Sequence, residues 1–246
     1  MEAERRQVTV LFADMVGFTA FSEKSGEEAA FTLMQSLSKL MEDAVHDQGG
    51  SVQGFTGDGI MAVFGAPVAF EDAPLRACKA ALAIFQQLKS TSRDLEAKHG
   101  VKPQLRIGVN SGPAVVGKVQ GGSGAAITVL GDTVNVAARL QALAAPGSTV
   151  LSEVTHRLLQ GLVETILVGE HVIKGKSEPQ RVYRLEAIRE GTARFDAKVH
   201  RGLTTYVGRD RELEKLERAL DVIGSGLEVY ITSAAFAKRG SKLPST

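Results

Sequence analysis

Phe55-Thr56-Gly57-Asp58-Gly59-Ile60-Met61-Ala62-Val63-Phe64 sets a glycine-flanked aspartate at the mouth of an apolar run. Glycines on both sides of Asp58 suit a tight turn. Residues 52–55 and 60–64 are therefore expected to pair as a β-hairpin with the acid at its tip. A second acid is placed in a similar way, in Val10-Leu11-Phe12-Ala13-Asp14-Met15-Val16-Gly17-Phe18-Thr19. Residues 8–13 are short, apolar and β-branched, as a buried strand is, and Asp14 stands at its end. Gly17-Phe18-Thr19 reads as a strand-to-helix turn.

Outward from these two stretches the pattern alternates strands and helices, which predicts an α/β chain. Phe31, Leu33, Met34, Leu37, Leu40, Met41 and Val45 recur at helical spacing, and Gly49-Gly50 ends that helix. A long helix over 74–98 carries Leu75, Cys78, Ala81, Leu82, Phe85 and Leu88 on one stripe. Residues 105–109 and 114–119 read as two strands joined through Ser111-Gly112-Pro113, and Gly121-Gly122-Ser123-Gly124 as a flexible loop. Strand 127–130 leads into a helix that Pro146-Gly147 stops near 144. Strand 150–151, helix 153–159 and strands 163–168, 172–173 and 181–185 complete the sheet. This gives one domain over 1–186. Residues 187–205 are polar and basic without a period and read as a linker. The remaining 206–246 is expected to start a helix with Leu213, Leu216 and Leu220 inward and to end in a small, basic, disordered tail.

Composition narrows the function classes. Lys+Arg 29 against Asp+Glu 28 leaves a formal charge of +1, so no global field invites nucleic acid or an anionic membrane. Aromatic residues are 5% and Trp is absent, which disfavours stacking platforms for single strands. One cysteine, Cys78, rules out an internal disulfide, suits a reducing cytoplasmic setting and is expected to pack as a small apolar side chain. No apolar run reaches membrane-spanning length, and 1–6 lacks a secretory core. The five His show no metal spacing, Ser111 has no His/Asp context, and G-x-x-x-x-G-K-[ST] does not occur.

Taken singly, Asp14 suits a helix cap and Asp58 a turn. Taken together they are two acids at exposed ends of apolar strands, a common place for ligands. Mg²⁺ binds through one or two carboxylates plus substrate phosphates, so two acids with few other ligands fit a metal–nucleotide site. The turn after Asp14, at Phe18 and Thr19, offers free N–H groups for phosphate oxygens. In Gly131-Asp132-Thr133-Val134-Asn135-Val136-Ala137-Ala138-Arg139, Asn135 and Arg139 are four apart and share a helix face. Their neighbours are apolar or small, so the helix is packed, and a phosphoryl group would partner the guanidinium. Arg106 in its strand and Lys174 in its turn are uninformative alone.

At these residues the chain resembles the class III adenylate/guanylate cyclase catalytic domain, over roughly Arg6 to Glu186. The resemblance implies a ferredoxin-like α+β domain, a mixed sheet flanked by helices, that works as a homodimer. One subunit would supply the acids and the other the Asn–Arg helix. It implies metal-binding roles for Asp14 and Asp58, with the Met15 carbonyl as an extra ligand to Mg²⁺ or Mn²⁺, two ions per site. Asn135 and Arg139 fall on the transition-state pair, and Arg106 and Lys174 on the phosphate contacts. The base-specifying pair falls on Gly54 and Thr128. The family's usual lysine is missing at Gly54, while Thr128 leans towards ATP. Gln53 is adjacent to Gly54, and strand alternation is expected to aim it at the other face. The implied activity is conversion of ATP to 3′,5′-cyclic AMP. A guanylate cyclase acting on GTP and a non-catalytic nucleotide-binding dimerisation module stay open as alternatives. Tyr206-Val207-Gly208-Arg209-Asp210-Arg211-Glu212-Leu213 is similar to the opening of signalling ATPase modules and is read as a truncated remnant.

Overall fold

A computed structural model describes residues 3–55, 57–121, 124–174 and 178–189. The part of the expected linker beyond 189 and all of 206–246 lie outside the described residues. Strand β1 (Glu4–Met15) leads into helices α1 (Phe18–Ser25) and α2 (Glu27–Asp47). The hairpin β2 (Ser51–Phe55) and β3 (Gly59–Phe64) follows, then the long helix α3 (Ala73–His99). Next come β4 (Leu105–Gly121), β5 (Gly124–Leu130), α4 (Asp132–Leu143), β6 (Ser148–Ser152), α5 (Glu153–Leu158), β7 (Val163–His171) and β8 (Gln180–Ile188).

Among the described residues the sheet has eight strands in the order β2-β3-β1-β4-β6-β8-β7, with β5 branching off β4. β4 and β6 are parallel and the other pairs antiparallel, so the sheet is mixed. Open, mixed and flanked by helices, it is the α+β architecture expected. Alternation along β1 divides its side chains between two faces. Leu11, Ala13 and Met15 pack with Ile60, Phe64, Leu105 and Ile107 against α2 and α3, where Leu33, Leu37, Met41, Ala77 and Ile84 complete the main core. Val8 and Val10 turn the other way and meet Val63, Val116, Val129 and Ala137 under α4. Cys78 is fully buried on α3, as expected of a small apolar residue.

Several expectations need correction. Helix α1 ends at Gly26 ahead of the expected stripe, and Phe31, a member of that stripe, points out from α2 with 71% of its surface exposed. Residues 105–109 and 114–119 are one continuous strand: β4 runs through Ser111-Gly112-Pro113 while pairing with β1 from Glu4 to Met15. On its other side β4 pairs with β6 over Arg106–Val109 and with β5 only from Val115 onward. Pro113 sits in the gap between those partners, where the ladder on that side calls for no donor. Gly121 and Gly124 belong to the paired strands, and 122–123 lie outside the described residues. Residues 172–173 form no strand; Ile173 is instead buried beside Val136 and Leu140 of α4. β8 continues to Ile188, two residues past the expected domain end.

Glycine at 108 decides how closely α4 lies on β4. A Cβ there would fall 2.2 Å from Gln141 N and 2.5 Å from Ala137 O. Any side chain would push the helix off the sheet.

Candidate active site

Sheet register carries the first acid to its neighbours. Asp14 lies across from Gly59 on β3 and from Arg106 on β4. Met15 N donates to the Asp58 carbonyl at 3.1 Å, which pins the hairpin turn against the end of β1. Close approach here requires glycine, because a Cβ at Gly59 would lie 2.1 Å from Ala13 O. The turn sets the Asp58 carboxyl close enough to the Asp14 carboxyl to act on its charge. Arg106 Nη2 donates to Asp14 Oδ2 at 3.3 Å, and Gln141 Nε2 reaches the same oxygen from α4 at 3.1 Å. Arg106 Nε is buried and has no partner.

Electrostatics follow from that crowding. Burial first, and then the adjoining Asp58 through a hydrogen bond and like charge, together raise the Asp14 carboxyl to about 6. Arg106 and Gln141 pull it down. Two carboxylates in contact need positive charge between them, as a proton or as a cation. Among the described residues no third His, Cys, Asp or Glu joins them as a metal cluster. A pair with so few protein ligands fits an ion that completes its shell with water and phosphate oxygens.

The turn after Asp14 matches its expectation in local geometry. Gly17 caps α1 with φ 73° and makes no side-chain bond to the first turn. The N–H groups of Phe18 and Thr19 therefore lack intrahelical acceptors. Phe18 is half-buried and Thr19 exposed, so this helix start opens to solvent.

The Asn–Arg pair lies elsewhere. At about 100° per residue, Asn135 is roughly 120° and Arg139 roughly 160° around α4 from Gln141. Gln141 is the residue that touches Asp14, so the Asn–Arg face looks away from this chain's own acids. Asn135 is exposed and Arg139 half-buried. Lys174 is exposed and follows Ile173, whose packing on Val136 and Leu140 holds that turn beside α4. The fold thus assembles Asp14, Asp58 and Arg106 in one place, while Asn135 and Arg139 share another face of α4 and Lys174 follows Ile173, which packs on that helix. Gly54 faces open space, with nothing within 4 Å of an added Cβ. Thr128 is half-buried on β5, across from Gly117.

Gln141 was not singled out from sequence. Its one signal is position: a polar residue opposite the Asn–Arg face of a helix that is otherwise packed.

The model of the family described as "Adenylate and Guanylate cyclase catalytic domain" matches residues 1–187. Adenylate cyclase 1 of Rhizobium meliloti is 30% identical over 188 residues, covering 76% of this chain and 28% of that protein. The chain therefore spans less than a third of that relative's length. The crystal structure of the adenylyl cyclase CyaB from P. aeruginosa matches with a TM-score of 0.73 at 27% identity, over 78% of this chain and all of that one. The guanylyl cyclase Cya2 matches with a TM-score of 0.73 at 26% identity, over 78% of this chain and 97% of that one.

Proposed function

The chain belongs to the adenylate and guanylate cyclase catalytic domain family, and from that premise we propose that it converts ATP to 3′,5′-cyclic AMP and pyrophosphate at sites shared by two copies. One observation carries the reading. Asp14 and Asp58 meet at the end of β1 with the unpaired Nε of Arg106 beside them. That is a cation-demanding pair next to an idle phosphate donor.

Asp14 and Asp58, helped by the Met15 carbonyl, would hold Mg²⁺ or Mn²⁺. Bound there, such ions lower the barrier to deprotonating the ribose 3′-hydroxyl and neutralise phosphate oxygens. The residues of the chain do the rest. Arg106 keeps one nitrogen on Asp14 and offers Nε to a phosphate oxygen. The N–H groups of Phe18 and Thr19 receive others at the helix start. Asn135 and Arg139 of the second copy close over the α-phosphorus as the ribose oxygen attacks in line. Arg139 stabilises the charge that builds there, and Lys174 meets the departing pyrophosphate. The orientation of α4, which presents Gln141 to its own Asp14 and turns Arg139 outward, supports a shared site.

GTP is the second substrate reading, favoured by the bare position at Gly54. Incubating purified protein with Mn²⁺ and either ATP or GTP, and assaying cyclic product, tests both. Absence of any cyclic nucleotide overturns the proposal. Asp14→Ala and Asp58→Ala are each expected to reduce turnover to background.

A further inference from the structure

Strand β2 is not regular. Ser51 lies across from Val63 and Val52 across from Ala62, but the register then slips and Gly54 lies across from Met61. Gln53 is the extra residue of a β-bulge. Met61 and Val63 pack with the cluster under α4, whereas Ala62 belongs to the core under α2 and α3. Ser51 and Gly54 therefore share the α4 side of the sheet, and Val52 takes the other. Gln53 is tied to the α4 side as well, because its Nε2 donates to Ser51 Oγ at 2.8 Å. Regular alternation would have aimed it away from Gly54; the bulge cancels that expectation.

The amide is only half used. Gln53 Oε1 is buried with no hydrogen-bond partner. An idle buried acceptor is costly and uncommon enough to need a reason. At the next residue, Gly54, an added Cβ would meet nothing within 4 Å beyond its chain neighbours.

We propose that Gln53 reads the purine base, in place of a side chain at position 54. The inference rests on the nucleotide-cyclase reading above. A carboxamide presents a donor and an acceptor side by side. Adenine offers the N6–H donor next to the N1 acceptor; guanine offers the O6 acceptor next to the N1–H donor. Turning the amide over about its last, two-fold torsion matches either edge. Gln53 therefore accepts both purines and discriminates weakly between ATP and GTP.

The test measures kcat and KM for ATP and GTP with Mn²⁺, together with calorimetric Kd values for their nonhydrolysable analogues. Wild type, Gln53→Glu and Gln53→Ala are compared. Wild-type kcat/KM for the two purines is expected within about tenfold, since neither edge loses a hydrogen bond. Gln53→Glu carries acceptors only, and guanine faces it with two N–H donors where adenine has one. The GTP:ATP ratio is expected to rise by about tenfold or more in both kcat/KM and Kd. Gln53→Ala is expected to raise KM and Kd for both nucleotides about five- to tenfold while kcat stays within about twofold. A Gln53→Glu protein that melts cooperatively yet keeps the wild-type ratio within about twofold overturns the assignment. If that variant does not fold, unchanged KM and Kd in Gln53→Ala overturn it instead. Analogue binding that shifts as stated without any cyclic product sinks the catalytic reading and leaves Gln53 as the base reader. If neither analogue binds, both fall.

Discussion

Asp14 is the residue on which charge and fold converge. Its carboxyl is raised from an ordinary 3.8 to about 6 by burial and by Asp58. Between those two values the folded chain keeps a proton that the unfolded chain has already released. Stability of the metal-free protein is therefore expected to fall as pH rises from about 4 to 6 and to level off above, since the folded state binds more protons across that window. Asp14→Asn removes the titration. In the presence of a chelator at pH 7 it is expected to melt higher than wild type, and thermal unfolding across pH 4 to 7.5 checks this. Added Mn²⁺ should raise the Tm of wild type and leave that of Asp14→Asn nearly unchanged. In the proposed site Arg139 serves the reaction and not the fold. Arg139→Ala is expected to lower kcat by about 10²–10³, as the loss of one charge-stabilising donor does, with thermal unfolding close to wild type.

The two acids were legible as residues because each stands at the end of an apolar strand beside turn glycines. What brings them into contact was not. It depends on a backbone bond from Met15 to Asp58 and on a glycine at 59 that lets Ala13 O come close. Gln141 escaped notice for the same reason: nothing local marks a glutamine whose partner lies 127 residues away.

At the scale of elements, hydrophobic period placed most helices and strands well, and tertiary pairing overruled it in three places. Ser111-Gly112-Pro113 has turn chemistry, yet twelve residues of β1 pair along β4 and hold it straight through that stretch. Phe31 fits the helical stripe of α2 but lies on its exposed side. The bulge at Gln53 breaks alternation where a regular strand was expected. The contact between α4 and β4 is the element on which the site depends most. Gly108→Ala forces a methyl against Gln141 N and Ala137 O. It is expected to cost about 1–3 kcal/mol by overpacking, and also to lower turnover by displacing the helix that carries Asn135 and Arg139. Denaturant unfolding and a cyclase assay separate the two effects. Leu37→Ala, in the core on α2, is expected to cost about 2–5 kcal/mol with kcat retained in the protein that stays folded.

For the whole molecule, the proposed pairing of chains makes a quantitative demand. Asp14→Ala and Arg139→Ala each spoil both sites of a homodimer. Mixed in equal amounts and allowed to exchange, they yield half heterodimers, each with one intact site. About a quarter of wild-type activity should then return; a mixture no more active than its parents would mean that each chain works alone. Among the described residues no helix is long and apolar enough to cross a membrane.

Helix α4 has one further implication. Its Gln141 grips the carboxylate of its own chain, while its Asn135 and Arg139 reach, in the proposed pair, into the neighbouring chain's site. A single rigid rod then spans two catalytic chambers, and any tilt that tightens one must be felt in the other. Kinetic cooperativity between the chambers, with a Hill coefficient departing from one and returning towards it in Gln141→Ala, would be the signature of that linkage.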